Sequence, residues 1–298
     1  MWELLASTAA ADVGVARILE PHLDALAILD QASSTMSGNA LDQIGVGETS
    51  TWGVYAAEGP ESTLTGTLEG GTWMLSGVKP WCSLAQNVSH SLVTARTTDG
   101  ALRLFAVKLK APGVEAETGP WHSRGLRQVV SAPVSFARVP AVPIGAEKWY
   151  LTRPGFAWGG LGVAACWWGG AIGIARALYD SATRREPDQL ACAHLGAVDT
   201  RLNAARALLA EASTAVDDPE AEPDLVTVVT RRTRNLVAEA VESTITRVGH
   251  ALGPGLLTQN EEHARRVADL QIYVRQHHAE RDDASLGRHL LARKCPPW

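Results

Sequence analysis

A seven-residue segment reads Gly77-Val78-Lys79-Pro80-Trp81-Cys82-Ser83 and lies inside a stretch, residues 51–146, whose pattern differs from the rest of the 298-residue chain. Short alternating or β-branched runs recur there, separated by Gly, Pro and Asp, which is typical of strands joined by turns. The runs are Trp52–Ala56, Leu64–Leu68, Thr72–Ser76, Ser91–Arg96, Leu102–Lys108 and Val129–Ala137. Gly70-Gly71 and Asp99-Gly100 are residue pairs that hairpin turns favour. The stretch therefore predicts an antiparallel sandwich or small barrel.

Both flanks of this stretch have helical patterns. Residues 2–32 place apolar side chains at helical spacing, and Pro21 is expected to start a second helix after a bend. After Pro154 the pattern predicts four helices with short connections, which together describe a bundle. Their predicted ranges are 154–184, 189–216, 224–251 and 261–291.

The segregated order of helices, strands and helices predicts an α+β protein, with short N-terminal helices, a central antiparallel β-domain and a C-terminal four-helix bundle. The corresponding domains are residues 1–50, 51–147 and 148–298.

Composition limits the partners and the compartment. The net charge of −5 gives no electrostatic reason to expect nucleic acid. The four cysteines are far apart and form no CxxC or Cys/His pair, which indicates a reducing compartment and no zinc site. No basic-then-apolar leader opens the chain, so we expect a cytoplasmic protein.

One uncharged run, Phe156 to Ala175, is long enough to span a bilayer. Trp158, Trp167 and Trp168 lie in its body, whereas membrane helices prefer Trp at the two interfaces. We therefore predict a buried helix of a soluble bundle rather than a membrane span.

Several local motifs, in this order, resemble those of the acyl-CoA dehydrogenase family. They are Tyr55-Ala56-Ala57-Glu58 at the place of the T-E-P strand, the segment Gly77 to Ser83 for G-x-K-x-W-x-T/S, Gly125-Leu126-Arg127 for G-M-R, Val134–Pro140 for the segment closing the β-domain, His250 to Gly255 for Q-x-x-G-G-x-G, and Ala268-Asp269-Leu270 for R-D-A. The resemblance covers nearly all of residues 1–292 and implies a flavoprotein of lipid metabolism. Its reaction would oxidise an acyl-CoA thioester to the 2,3-enoyl-CoA with FAD.

The same resemblance implies where a flavin would bind. A flavin needs a flat apolar wall and hydrogen bonds at its ring edge. Trp81 would supply the wall, and the Ser83 hydroxyl with nearby backbone amides, that of Cys82 included, would supply the hydrogen bonds. Because Trp81 and Ser83 are two apart on a strand, their side chains should share a face. Backbone groups of Ala56, Ala57 and Glu58 would hold the pyrimidine end. The alternative for Trp81 is a residue buried against the bundle.

In the family, the adenosine and pyrophosphate reach a second subunit. By resemblance, Arg184 or Arg185 would bind the pyrophosphate, and His250 and Gly253 would form the adjoining loop. An arginine fork suits this role because it can make bidentate hydrogen bonds; the alternative is a solvated helix end. The resemblance thus implies a homodimer or tetramer, or a hetero-oligomer with a full-length relative.

The sequence departs from the family pattern at three places. The first is the short N-terminal helical part. The second lies at the phosphate-contacting positions, where G-S-D is reduced to Gly59-Pro60-Glu61-Ser62-Thr63 and where Glu186-Pro187 replaces the Phe-Gly that follows the bundle arginine in the family. The third concerns the catalytic base. The position of the catalytic Glu falls on or beside His277, whose free pKa near neutrality would suit a base. Glu280, one helical turn away, would reach the same cleft or pair with an arginine. The alternative for both is a polar bundle surface.

Adjacent side chains on a helix point about 100° apart, so His277 and His278 do not predict a metal site. Three functions remain open. The first is the dehydrogenase, with an acyl-CoA-type ligand. The second is a flavin monooxygenase of the desulfurisation type, in which a His replaces the Glu, and the third is a non-catalytic subunit that pairs with a full-length relative.

Overall fold

The computed structural model describes residues 1–36, 38–60, 62–153, 155–184 and 186–293. The chain forms two compact units. The first comprises Met1–Arg17, Ser123–Leu126 and the chain from Ala157 onward, and the second comprises Ile18–His122 and Arg127–Phe156. The first residues thus group with the C-terminal helices. The predicted domain ranges 1–50, 51–147 and 148–298 stay a prediction. The order of helices, sheet and helices confirms the α+β class.

The second unit contains a seven-stranded sheet. Its strands are β1 (Trp52–Tyr55), β2 (Thr65–Glu69), β3 (Thr72–Ser83), β4 (His90–Thr97), β5 (Leu102–Lys108), β6 (Val114–Ala116) and β7 (Ser131–Ile144). They pair in the order β1-β4-β2-β3-β7-β5, and β5 pairs back with β4, so that five of them close into a barrel. The sheet is mixed rather than wholly antiparallel, since β4 runs parallel to both β1 and β2. The β2–β3 hairpin intervenes before β4 and reverses the chain twice.

Glycines fix two sharp features of the barrel. Glu69 pairs with Thr72, which leaves Gly70 and Gly71 as a two-residue turn, and both have positive φ, as the predicted hairpin requires. Gly77 has φ +117°, and a Cβ at this position would lie 2.3 Å from the Thr63 carbonyl oxygen. Only glycine fits there, beside a β-bulge between Leu75 and Gly77.

The N-terminal helices break at a different residue from the one predicted. Helix α1 spans Trp2–Ala11 and α2 spans Val13–Ala32, so that Pro21 lies inside α2. Asp12 has an extended backbone and its carboxylate accepts the Val15 N–H at 3.0 Å, which is the geometry of an N-cap. The cap starts the second helix, and Pro21 removes one hydrogen bond without ending it.

The C-terminal helices are α3 (Trp149–Thr152), α4 (Gly155–Arg184), α5 (Gln189–Asp217), α6 (Pro223–Leu252), α7 (Gly255–Gln259), α8 (Glu261–Tyr273) and α9 (Glu280–Leu291). Three of the four long predicted helices match α4, α5 and α6. The predicted fourth helix is wrong as a single element, because a 3₁₀ turn at Val274–Gln276 and the left-handed Ala279, with φ 47°, divide it into α8 and α9.

Helix α4 is the core helix of the first unit. Among the described residues it is the one helix long and apolar enough to cross a membrane, and 67% of its most apolar window is buried. A Cβ at Gly169 would lie 2.0 Å from the Ala6 carbonyl oxygen, so the backbones of α1 and α4 touch at this glycine. This packing agrees with the predicted buried bundle helix.

Candidate functional site

Trp81 is the most unusual residue of the barrel. It lies on β3 where the register shifts between Lys79 and Cys82, with φ 61°, and it is 62% exposed. The left-handed region is a genuine outlier for a bulky side chain and costs about 1–2 kcal/mol. Leu84, three residues on, also has a positive φ of 58°. The indole is therefore not a packing residue of the barrel core.

Ser83 lies directly opposite Ser131 of β7, and their hydroxyl oxygens are 2.6 Å apart. The Tyr55 hydroxyl donates to the Ser83 carbonyl at 2.9 Å and holds the backbone of the same residue. Because the bulge interrupts the strand between Lys79 and Cys82, residue spacing alone no longer sets the direction of Trp81. A face shared by Trp81 and Ser83 stays a prediction.

Cys82, which stands between Trp81 and Ser83 in the sequence, is buried, and its thiol donates to the Lys79 carbonyl at 3.3 Å. Burial raises the pKa of this thiol to about 12. The side chain is therefore a buried, protonated thiol at neutral pH rather than a reactive thiolate. Only the backbone of Cys82 remains available for the predicted cofactor contact.

The segment Ala56–Glu58 follows β1 and is tied to β3 by an ion pair. Lys79 Nζ lies 2.6 Å from Glu58 Oε1 and 2.8 Å from the Thr94 hydroxyl. Lys79 is fully buried, and burial lowers its pKa against the opposing attraction of Glu58. Both residues belong to the quoted motifs, but their contact was not predicted. A lysine inside a strand with apolar neighbours was the available signal, because a buried lysine needs a partner.

His277 is partly buried in the first unit, and both of its ring nitrogens have partners. Nδ1 accepts the Ala279 N–H at 3.2 Å, and Nε2 lies 3.0 Å from the Asn235 side-chain oxygen. The Asn235 amide nitrogen donates to Asp283 at 2.7 Å, which points its oxygen towards the imidazole. These contacts match a neutral ring with its proton on Nε2. Burial lowers the pKa of His277 in the same direction.

Glu280 is the exposed first residue of α9 and does not continue the helix that precedes His277. The expected spacing of one helical turn between the two residues is therefore absent, and their catalytic roles stay predictions. His278 also lies outside any helix. Across the described ranges, no group of three or more His, Cys, Asp or Glu side chains could hold a metal ion.

The residues predicted to meet a second subunit lie at helix ends. Arg184 is the exposed last residue of α4, and Arg185 lies outside the described residues. His250 is exposed near the end of α6, with its ring centroid 6.0 Å from that of His194. Gly253 follows α6 with φ 65° and has open space around its Cα. Their contact with a cofactor stays a prediction.

Two of the quoted motifs meet in the first unit. The Leu126 N–H donates to Asp269 Oδ1 at 2.5 Å, and a Cβ on Gly125 would lie only 1.9 Å from the Ala268 carbonyl oxygen. Gly125, Leu126 and Asp269 are buried, and burial raises the pKa of the Asp269 carboxyl. The Gly125-Leu126 and Ala268-Asp269 pairs therefore act as a structural clasp.

No family model and no curated protein sequence matches the chain. Solved structures do match. The chain is similar over 100% of its length, and 84% of the other chain, to TdsC from Paenibacillus sp. A11-2 in complex with FMN and indole, with a TM-score of 0.83 and 19% identity. Over 96% of its length, and 80% of the other chain, it is similar to butyryl-CoA dehydrogenase from Megasphaera elsdenii, with a TM-score of 0.76 and 18% identity. The chain has the acyl-CoA dehydrogenase fold.

A third solved structure with this acyl-CoA dehydrogenase fold is methanesulfinate monooxygenase MsuC from Pseudomonas fluorescens. The match covers 99% of this chain and 83% of that one, with a TM-score of 0.81 and 17% identity. TdsC is a dibenzothiophene monooxygenase. The fold predicted from the local motifs is thus confirmed. The acyl-CoA dehydrogenase fold hosts both oxygen transfer and dehydrogenation among these proteins, so it does not by itself select the reaction.

Proposed function

We propose that the chain is a flavin-dependent oxidoreductase that holds the isoalloxazine ring against Trp81. The observation behind this proposal is an exposed indole kept in a left-handed backbone conformation. Strained residues cluster at ligand sites, and an exposed large aromatic offers a flat ring a surface to stack on. The FMN bound to TdsC, a protein of the same fold, supports the proposal.

The residues around Trp81 suit the polar edge of such a ring. The Ser83 hydroxyl is held by Ser131 at 2.6 Å, so it is oriented before a ligand arrives. Backbone groups of the segment Ala56–Glu58 would meet the pyrimidine end. Bound flavin supplies two-electron transfer and, in its reduced form, reaction with O2.

We favour oxygen transfer over dehydrogenation because of His277. Dehydrogenation of an acyl-CoA needs a base with a free lone pair facing the substrate. Both His277 nitrogens have partners inside the chain, and the stretch 154–179 contains no carboxylate. Oxygen transfer by a reduced flavin removes no α-proton from a thioester, so it does not need a base for that step. The likeness to TdsC and MsuC supports the same choice.

Acyl-CoA dehydrogenation is the second candidate, supported by the likeness to butyryl-CoA dehydrogenase. It would require Glu280, which is exposed at the start of α9, to act as the base. For either reaction, we propose that a second copy of the chain offers Arg184, His250 and Gly253 to the distal part of the cofactor. FAD needs these contacts for its adenosine, whereas FMN ends at its phosphate. We also propose a cytoplasmic location for the protein.

The test begins with the visible spectrum of the purified protein and with fluorescence titrations of FMN and FAD. The flavin-loaded protein is then reduced and mixed with O2 in the presence of indole or dibenzothiophene, and in parallel the oxidised form is mixed anaerobically with butyryl-CoA. Oxygen incorporated from labelled O2 supports the monooxygenase, and bleaching by butyryl-CoA supports the dehydrogenase. A protein that binds neither flavin refutes both and leaves the non-catalytic partner subunit.

A further inference from the structure

Lys79 is the one fully buried lysine among the residues that the structure describes. Its ammonium lies 2.6 Å from Glu58 Oε1 and 2.8 Å from the Thr94 hydroxyl, and Thr94 also donates to Glu58 at 3.2 Å. Glu58 is 38% exposed on its side chain, and its other oxygen lies 3.8 Å from Arg96. Thr94 and Arg96 are on β4, Lys79 is on β3, and Glu58 lies beyond the end of β1.

The ion pair joins two segments that are 21 residues apart in sequence. Lys79 is two residues before Trp81, at the start of the β-bulge. Glu58 is the last residue of the segment Ala56–Glu58. The two segments proposed to contact the flavin ring are therefore linked through the barrel interior by one hydrogen-bonded contact.

Stability alone does not explain this arrangement. Taking a lysine out of water costs several kcal/mol, and replacing a buried ion pair by apolar residues is often neutral or stabilising. A buried pair instead fixes one geometry, because each charge strongly disfavours any arrangement in which its partner is absent. Lys79 is two residues before Trp81 on β3, so the geometry that the pair fixes is that of the segment Ala56–Glu58 against the β-bulge.

We propose that Lys79 is a positioning residue for the cofactor. Through its ion pair with Glu58, Lys79 holds the segment Ala56–Glu58 against the β-bulge that carries Trp81. The indole and the backbone groups of that segment, which would contact the two ends of the flavin ring, then keep a fixed distance from each other. This inference rests on the proposed flavin site and adds a residue that does not itself touch the ring.

Two single variants and their combination test this role. Lys79→Met keeps the length of the side chain without the charge, and Glu58→Gln keeps an acceptor without the charge. We expect each to weaken FMN or FAD binding at least tenfold in a fluorescence titration and to change the visible circular dichroism of the bound flavin. The double variant should bind no more weakly than the single ones, because both remove the same contact.

The unfolding midpoint of the flavin-free protein separates positioning from folding. We expect the double variant Lys79→Met/Glu58→Gln to leave it unchanged or raise it, because both charges are removed together, whereas a purely structural pair would lower it and leave the spectrum of bound flavin unaltered. The matched control is the surface pair Arg138–Glu69, with an N···O distance of 2.6 Å and exposures of 68% and 35%. Arg138→Met should change neither affinity nor spectrum.

The outcomes separate this inference from the proposed function. If the unmodified protein binds neither FMN nor FAD, both fall. If it binds flavin, and Lys79→Met and Glu58→Gln bind it with the same affinity and the same circular dichroism, only the role of Lys79 is refuted. Should either single variant fail to fold, the double variant Lys79→Met/Glu58→Gln decides, because it leaves no unpaired charge at the buried position.

Discussion

Replacing Trp81 by glycine separates the proposed cofactor role of the indole from any role in the fold. About two-fifths of this residue is buried, so the substitution removes roughly 80 Å² of buried surface, or about 2 kcal/mol at ~25 cal/mol per Å². Glycine adopts a φ of 61° without strain, so the substitution regains about 1–2 kcal/mol of folding free energy. The greater freedom of glycine in the unfolded chain costs about 0.5–1 kcal/mol. We expect a net loss of only about 1 kcal/mol in the free energy of unfolding, measured in urea without flavin.

Flavin binding should respond far more strongly than stability. Stacking a planar base on an aromatic side chain is worth about 1–3 kcal/mol, which corresponds to about 5- to 150-fold in Kd. The assay is a fluorescence titration with FMN and FAD, and Trp81→Phe should show an intermediate affinity. Leu68→Ala on β2 of the same barrel, where the side chain is 56% exposed, is the control and should bind as the unmodified protein does. Unchanged affinity in Trp81→Gly would refute the cofactor role, and a stability loss above about 3 kcal/mol would show that the indole supports the barrel.

Two further predictions concern the first unit. Gly125→Ala should lower the free energy of unfolding by more than about 3 kcal/mol, because the added Cβ would lie 1.9 Å from the Ala268 carbonyl oxygen. The control is Gly196→Ala in α5, where the added Cβ meets open space and should raise the free energy of unfolding by about 0.5–1 kcal/mol. Equal effects of the two substitutions would contradict the structural role of the Gly125–Ala268 contact. Burial lowers the pKa of His277 below its ordinary 6.5, so its contribution is complete above pH 6.5 and is lost as pH falls through the folded-state pKa. Urea unfolding at neutral pH and at about pH 5 should show a smaller acid loss for His277→Gln than for the unmodified protein, and identical losses would refute this assignment.

Much of the fold could be predicted from the sequence because its signals are local. The Gly70-Gly71 hairpin and the long helices α5 and α6 follow from turn residues and apolar periodicity within each segment. Helix breaks depended on contacts that periodicity does not show. The cap made by Asp12 started α2 where Pro21 was expected to act. The left-handed Ala279 divides a helical pattern at a point where no glycine or proline stands.

The candidate site was predicted only in part for the same reason. Trp81 stood out as a motif residue, but its exposure depends on a β-bulge whose extra residue is visible only once β3 and β7 are paired. The contact of Lys79 with Glu58 joins residues on separate segments and needs the barrel to exist before it can form. Short sequence motifs thus identify the residues of the site, whereas long-range strand pairing decides their geometry.

The closed ring of strands also constrains how the protein is made. Strand β3 pairs with β7 across the whole of β4, β5 and β6, so the ring cannot close until Ile144 has left the ribosome. Until then β2 and β3 can form their hairpin, but the edge of β3 that pairs with β7 keeps unpaired backbone groups that can pair with other chains. A pause in translation before Ile144 would leave an open sheet that chaperones must shield, and early termination codons in β7 would give aggregates rather than a smaller folded barrel.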